Sequence, residues 1–421
     1  MDFKCPYCGQ SRLQHLRSCP KIYSIIKQNQ FNIKAKQEYS GKSPNVFIGS
    51  FNYPNVNIGF FSNEEIPENA DKPKEWAENN FKIPDVIDIR SNLINSKFKA
   101  NVKINEINKD KNNAKTFDQK FQEKFLEITQ EISMAEKPVD VQVSLEKKPS
   151  FNISYENDIT AFGPSINLKK AEITENPYIK KPVEKVVSDT DLKATEAINY
   201  LYEKGYDNYF LTKLISVGNI GLKEKRKIVP TKWSITAIDD SLGKNIINEI
   251  KDYNYYDYVS HFGYYLGNYY LILFFPEPWS YELFETYIGN INNPMPEQTM
   301  TDYEFYNGRK DYAENTVGGY YAARLSILEY LKEKKRQASV IAFRFISDEY
   351  YIPLGVWVVR EAVKQALKSK ELKFSSKELM LKYAEIFLKK KFNYEKLKKS
   401  IILREMKEQK KLFDFKFFSN K

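Results

Sequence analysis

Residues 43–61 read SPNVFIGSFNYPNVNIGFF. Strand-forming residues are interrupted at short intervals by Pro, Asn and Gly, which predicts two short strands joined by a turn at Tyr53-Pro54-Asn55. Working outward, residues 101–135 turn polar, with Phe117, Phe121, Phe125, Ile128 and Ile132 recurring at steps of four or three. That is one face of an amphipathic helix. In KPVDVQVSLEKKPS (137–150), Val139, Val141, Val143 and Leu145 alternate with polar residues, as in a half-buried strand.

Further along, DTDLKATEAINYLYEKG (189–205) carries early acids and a final glycine, predicting a helix over 189–204 closed by Gly205. GLKEKRKIVPTKWSITAIDD (221–240) reads as a basic loop entering a strand. Lys223, Lys225, Arg226, Lys227 and Lys232 could hold phosphates there, or simply face solvent. Trp233 could stack on a base, although burial is the commoner fate of tryptophan. NYYLILFFPEPW (268–279) predicts one buried strand ended by Pro276 and Pro278, with the isolated His261 a structural residue. A helix over YYAARLSILEYLKEKKRQ (320–337) and a strand over ASVIAFRFI (338–346) follow. In IPLGVWVVREAVKQAL (352–367) a strand-to-helix turn would leave Arg360 and Glu361 at a helix entrance.

Strands and helices mixed in this way give an α/β or α+β body. Composition divides the chain into four expected regions: a knuckle at 1–30, an N-terminal α+β region at 31–150, a main α/β domain at 151–388, and a flexible basic tail at 389–421. The tail holds 12 Lys/Arg against 4 Asp/Glu, most of the net charge of +10. Such a tail suits a polyanion or a solvated face. The longest apolar run, Tyr269 to Phe275, is far too short to cross a bilayer, and MDFKCPYC is no signal peptide. A soluble, intracellular protein without membrane contact is expected.

All three cysteines lie in the first 19 residues. With one of the two histidines they form Cys5-x2-Cys8-x6-His15-x3-Cys19. A Cys-x-x-Cys turn sets two thiolates at tetrahedral spacing, and Gly9 permits the tight backbone behind it. Four protein ligands leave no open position, so a structural zinc ion (Zn2+) is expected. A redox pair or unrelated thiols compete with that reading; a redox pair would need a βαβ surround that this sequence lacks. The signatures GxxxxGK[ST], GxGxxG, GxSxG and HExxH do not occur.

Taken together, CPYCG through CP, SPNVFIGSFNYPNVNIG, KPVDVQV, VPTKWSITAIDD, PEPWS, GGYYAARLSILEYL with RQASV, and PLGVWVVRE resemble the archaeal Nre DNA-repair proteins, in the family's order. One departure is His15, where the family usually has cysteine; histidine ligates zinc equally well. The resemblance implies DNA as a partner, work at the nucleoid, and a C-terminal peptide that binds the sliding clamp, the proliferating cell nuclear antigen. Clamp peptides follow Gln-x-x-aliphatic-x-x-aromatic-aromatic, and Gln409, Leu412 and Phe415 fill the first three marked positions, with Phe413 between them. Lys416 stands at the second aromatic place, with Phe417 one residue late. A short turn would set Leu412 and Phe415 on one side of the peptide.

Two further readings belong to other classes. A metal-dependent nuclease would need Asp189, Asp191, Asp239, Asp240 or Glu361 to converge on Mg2+ or Mn2+. An RNA-associated factor would use the same knuckle and basic surfaces.

Overall fold

A computed structural model describes residues 36–104, 117–150, 154–156, 159–288 and 298–408. The quartet Cys5, Cys8, His15 and Cys19 and the peptide residues Gln409, Leu412, Phe413 and Phe415 lie outside the described residues. The chain forms a mixed α/β body in two compact units. One comprises residues up to Leu242 with Tyr351–Val358; the other comprises Gly243–Tyr350 and the chain from Val359.

In the first unit, β1 (Glu38–Ile48), β2 (Asn55–Asn63), β3 (Ile94–Asn101), β4 (Val139–Leu145) and β7 (Ser165–Ile173) close into a barrel in the order β1-β2-β3-β7-β4. The quoted turn region indeed joins β1 to β2. Closure depends on β1 serving two neighbours: Glu38–Ser43 pair with β4, while Lys42 and Asn45–Ile48 pair with β2. The register shifts between Lys42 and Asn45. Pro44 falls in that irregularity, where a missing N–H costs no ladder bond. At Gly41 any Cβ would run into the Asn63 carbonyl, so only glycine lets the strand cross so closely.

β3 and β7 run parallel and the other barrel pairs antiparallel. α3 (Phe117–Met134) connects β3 to β4 across the described residues, and β5 (Ser154–Glu156) and β6 (Ile159–Phe162) form a small hairpin before β7. A five-stranded barrel with this order, its first and fourth strands paired and a helix between the third and fourth, has the connectivity of oligonucleotide/oligosaccharide-binding barrels. The alternation read in β4 is real: Val139, Val141, Val143 and Leu145 point inward and meet Phe125, Ile128 and Ile132 of α3. That helix plugs the barrel with its apolar stripe, each large side chain contributing on the order of 1.5–3 kcal/mol through burial. α1 (Pro73–Glu78) and α2 (Ile83–Ser91) lie between β2 and β3 in sequence. α4 (Lys181–Ser188), α5 (Ala194–Glu203) and α6 (Asn208–Ser216) follow the barrel.

Three expectations need correction. The helix expected over 189–204 begins only at Ala194, because the Asp189 carboxylate accepts the Asp191 and Leu192 N–H groups (2.9 Å each) and makes a turn of 189–193 that separates it from α4. Gly205, at φ +90°, does close α5. Next, 221–240 contains no strand: a short 3-10 turn at Lys223–Lys225 leads to the helix α7 (Thr231–Ile250). The β-branched run SITAI hid a longer period, for Ile238, Leu242, Ile246 and Ile250 recur every four residues and all are buried. Finally, 351–356 is buried irregular chain, not a strand, ahead of α9 (Trp357–Lys368).

The second unit is a six-stranded sheet, β11-β10-β12-β9-β8-β13, built from β8 (Tyr258–Tyr265), β9 (Asn268–Phe275), β10 (Ser280–Tyr287), β11 (Gln298–Glu304), β12 (Ser339–Ile346) and β13 (Leu372–Phe374). β10 and β12 pair in parallel, linked through β11 and α8 (Val317–Lys334). α10 (Lys377–Phe392) and α11 (Ile401–Glu408) close one face, burying Leu271, Phe343 and Phe345 against Met380, Leu388 and Ile402. β9 ends at Phe275 before Pro276, and β12 is buried along its whole length, hence their continuous apolar reading. His261 is structural, its Nε2 3.1 Å from the Tyr330 hydroxyl.

Candidate nucleic-acid interface

The loop from Gly49 to Pro54 is tight. Gly49 N–H donates to the Asn57 carbonyl and Asn55 N–H to the Asn52 carbonyl, both at 2.9 Å. Asn52 sits at φ 63°, a left-handed conformation that asparagine tolerates. A loop this short cannot fold its aromatics inward. Phe51 is left 76% exposed and Tyr53 49% exposed. The first turn of α7 completes the rim: Ile48 N–H donates to Thr231 Oγ1 (2.9 Å), and the Trp233 ring stands edge-on to Tyr53 at 5.1 Å. Trp233 is 44% exposed, contrary to the burial usual for tryptophan.

Two backbone bonds bring lysines to these rings. Val102 N–H donates to the Pro54 carbonyl (2.9 Å), and Ile228 N–H donates to the Val102 carbonyl (2.8 Å). Segments 53–55, 101–103 and 227–229 therefore adjoin, placing Lys103 and Lys227 beside the loop. From there the outer face of β2–β3 runs as cross-strand pairs: Asn55 opposite Asn101, Asn57 opposite Lys99, Gly59 opposite Lys97. Their inward neighbours Val56, Ile58, Phe98 and Ala100 belong to the core. At Gly59 a Cβ would lie 2.6 Å from the Ser96 carbonyl oxygen. Among the described residues, no ion pair occupies the side chains of Lys97, Lys99, Lys227 or Lys232. An open basic stripe beside exposed aromatic faces can meet both phosphates and bases.

Of the five basic residues singled out in 223–232, Lys223, Lys225 and Lys227 are exposed and Lys232 is half-buried. Arg226 is otherwise engaged: its guanidinium donates to the Gly221, Val187 and Asp189 carbonyls at 2.8, 2.9 and 2.6 Å. It fastens its own loop. The candidate carboxylates have partners of their own. Asp189 makes the turn before α5 with Asp191 following it, buried Asp239 accepts from Asn208 Nδ2 (3.1 Å), Asp240 is its neighbour on α7, and Glu361 of the second unit lies 3.8 Å from Lys364. Among the described residues, no group of three or more His, Cys, Asp or Glu side chains could hold a metal ion.

Sequence reasoning did not single out Phe51, Tyr53, Lys97, Lys99 and Lys103 as candidates, although two aromatics inside a Pro/Asn turn were a usable signal. It also missed Lys213. This lysine is buried at a cleft of about 420 Å³ that Asp71, Glu136, Asp207 and Phe210 also line, and its ammonium donates to the Ala135 carbonyl at the end of α3. Burial holds its pKa down to about 8, opposed by the charges of Asp71, Asp207 and Glu136. Its place at i+3 from Phe210, on an otherwise apolar stripe, was the available clue.

The chain matches the family model for the N-terminal region of archaeal Nre over residues 13–291 and that for the C-terminal region over 304–415. It is 36% identical to DNA repair protein NreA of Haloferax volcanii over 365 residues, 83% of this chain and 84% of the relative. It is 34% identical to DNA repair protein NreB of Archaeoglobus fulgidus over 391 residues, 90% of this chain and 92% of the relative. With DNA repair protein NreA of the same organism it shares 35% over 381 residues, covering 89% and 91%. No solved structure matches it significantly.

Proposed function

The chain belongs to the archaeal Nre family, and from that premise we propose that it is a DNA repair factor acting at the nucleoid, recruited by the sliding clamp and contacting DNA through its barrel unit. The observation that carries this reading is the near end-to-end likeness to proteins named for DNA repair, joined to a basic, aromatic rim on the barrel. Recruitment falls to Gln409, Leu412, Phe413 and Phe415: the glutamine bonds at a pocket edge while leucine and phenylalanine enter it. The terminal lysines add attraction to an acidic clamp surface or to the DNA it encircles.

Cys5, Cys8, His15 and Cys19 hold one structural zinc ion. A knuckle of this size has no core, so the metal supplies its folding energy. Its work is to order the N-terminus and offer a further contact to DNA.

The test removes residues 409–418 and measures clamp affinity and DNA affinity separately. Clamp binding is expected to vanish while DNA binding persists. Unchanged clamp affinity would refute recruitment by this peptide.

A further inference from the structure

We infer that the outer face of β2–β3 and its aromatic rim form a groove for single-stranded DNA, with bases stacked on Phe51, Tyr53 and Trp233 and the backbone met by Lys97, Lys99 and Lys103. The inference rests on the DNA-binding reading above and goes further, naming the form of DNA and how it is held.

Three observations select a single strand. First, the rings are exposed by geometry: a loop held by its own backbone bonds presents Phe51 and Tyr53 outward, and Trp233 is fixed beside them by the Ile48–Thr231 bond. A duplex keeps its bases stacked internally and offers such rings nothing, whereas an unpaired base gains a stacking partner. Second, the lysines are aligned with the strand. Lys97 and Lys99 share one side of β3 two residues apart, roughly 7 Å at strand rise, and Lys103 continues the line toward the rim. A stretched backbone can follow such a row. Third, the barrel's connectivity places this surface on its second and third strands and first loop, the region that five-stranded barrels of this order use for oligomers. Gly59, facing Lys97, leaves the middle of the face low.

The intact protein carries a built-in reporter. Of its four tryptophans, Trp76, Trp279 and Trp357 are buried and Trp233 alone is substantially exposed. Titration with an oligothymidylate of about 12 nucleotides should quench tryptophan emission, and a blunt duplex of equal length should bind more weakly. Trp233→Ala should weaken single-strand binding roughly 5- to 100-fold without changing duplex binding, and Trp233→Phe should restore most of the affinity while losing the quench. The double variant Lys97→Ala/Lys99→Ala should lower the salt slope of log K by about 1.4. Equal affinity for both DNA forms, with no effect of Trp233→Ala, overturns the inference and leaves the DNA-binding reading standing. Binding to neither form defeats that reading as well. Tighter binding of an oligouridylate than of the oligothymidylate overturns the assignment to DNA.

Discussion

Two sets of aromatic residues, one in each unit, are placed in opposite ways. In the second, Tyr270, Trp279, Tyr281 and Tyr320 are fully buried around charges that are themselves buried: Arg324 pairs with Glu304 at 2.7 Å, Trp279 Nε1 donates to the same carboxylate at 3.0 Å, and Arg344 pairs with Glu285 and with Asn268. Those four rings belong to a packed interior. On the barrel rim, Phe51, Tyr53 and Trp233 keep their faces in water beside lysines. Aromatic content alone therefore carries no functional message. What distinguishes a binding surface is an aromatic that local geometry prevents from being buried.

That contrast can be broken by mutation. The largest effect is expected in the second unit, where Glu304→Ala takes from the buried Arg324 guanidinium its carboxylate at 2.7 Å. Such losses cost about 3–5 kcal/mol, readable in urea unfolding. A cost under about 1 kcal/mol would mean the network is no interior scaffold. Next comes the first unit's own buried charge, Lys213. Its ammonium titrates at about 8 when folded against 10.5 for an ordinary lysine. Between those values the unfolded chain binds the extra proton, so stability should rise with pH there, by up to about 1.4 kcal/mol per unit. Below pH 8 both states are charged and the burial cost stands in full. Lys213→Met should flatten that slope; an identical profile would show that the amine is solvated.

Barrel closure gives a smaller effect. Gly41→Ala should cost about 1–3 kcal/mol by driving a methyl into the Asn63 carbonyl. The smallest change sharpens the comparison most. Phe51→Ala should alter stability by less than about 0.5 kcal/mol while weakening single-strand binding, because the ring is already in water. A loss of several kcal/mol would make it a core residue after all.

Much of the body was legible because local pattern and tertiary role agree there. β4 alternates since one face fills the barrel, and α3 shows its stripe since that stripe is the plug. β9 and β12 read as continuous apolar strands because both faces are covered. The errors arose where the deciding period exceeds the local run, as in α7, or where one side chain redirects the backbone, as Asp189 does before α5. The closed barrel was not legible at all. Its parallel β3–β7 pair joins residues about seventy positions apart, and nothing in either strand names the other. The candidate site was half legible: the basic loop stood out in sequence, but the bonds Arg226 makes within that loop, and the place of Phe51 and Lys99 beside it, showed only once neighbours were known.

The double duty of β1 has a mechanical consequence. A single ribbon that grips one neighbour with its leading half and another with its trailing half acts as the clasp of a bracelet. Cutting the peptide between Ser43 and Pro44 would leave only the Lys42–Asn63 pairing across that seam, and the cylinder would loosen toward an open curl. The chain should thus survive added length in its outlying connections far better than one inserted residue at that clasp.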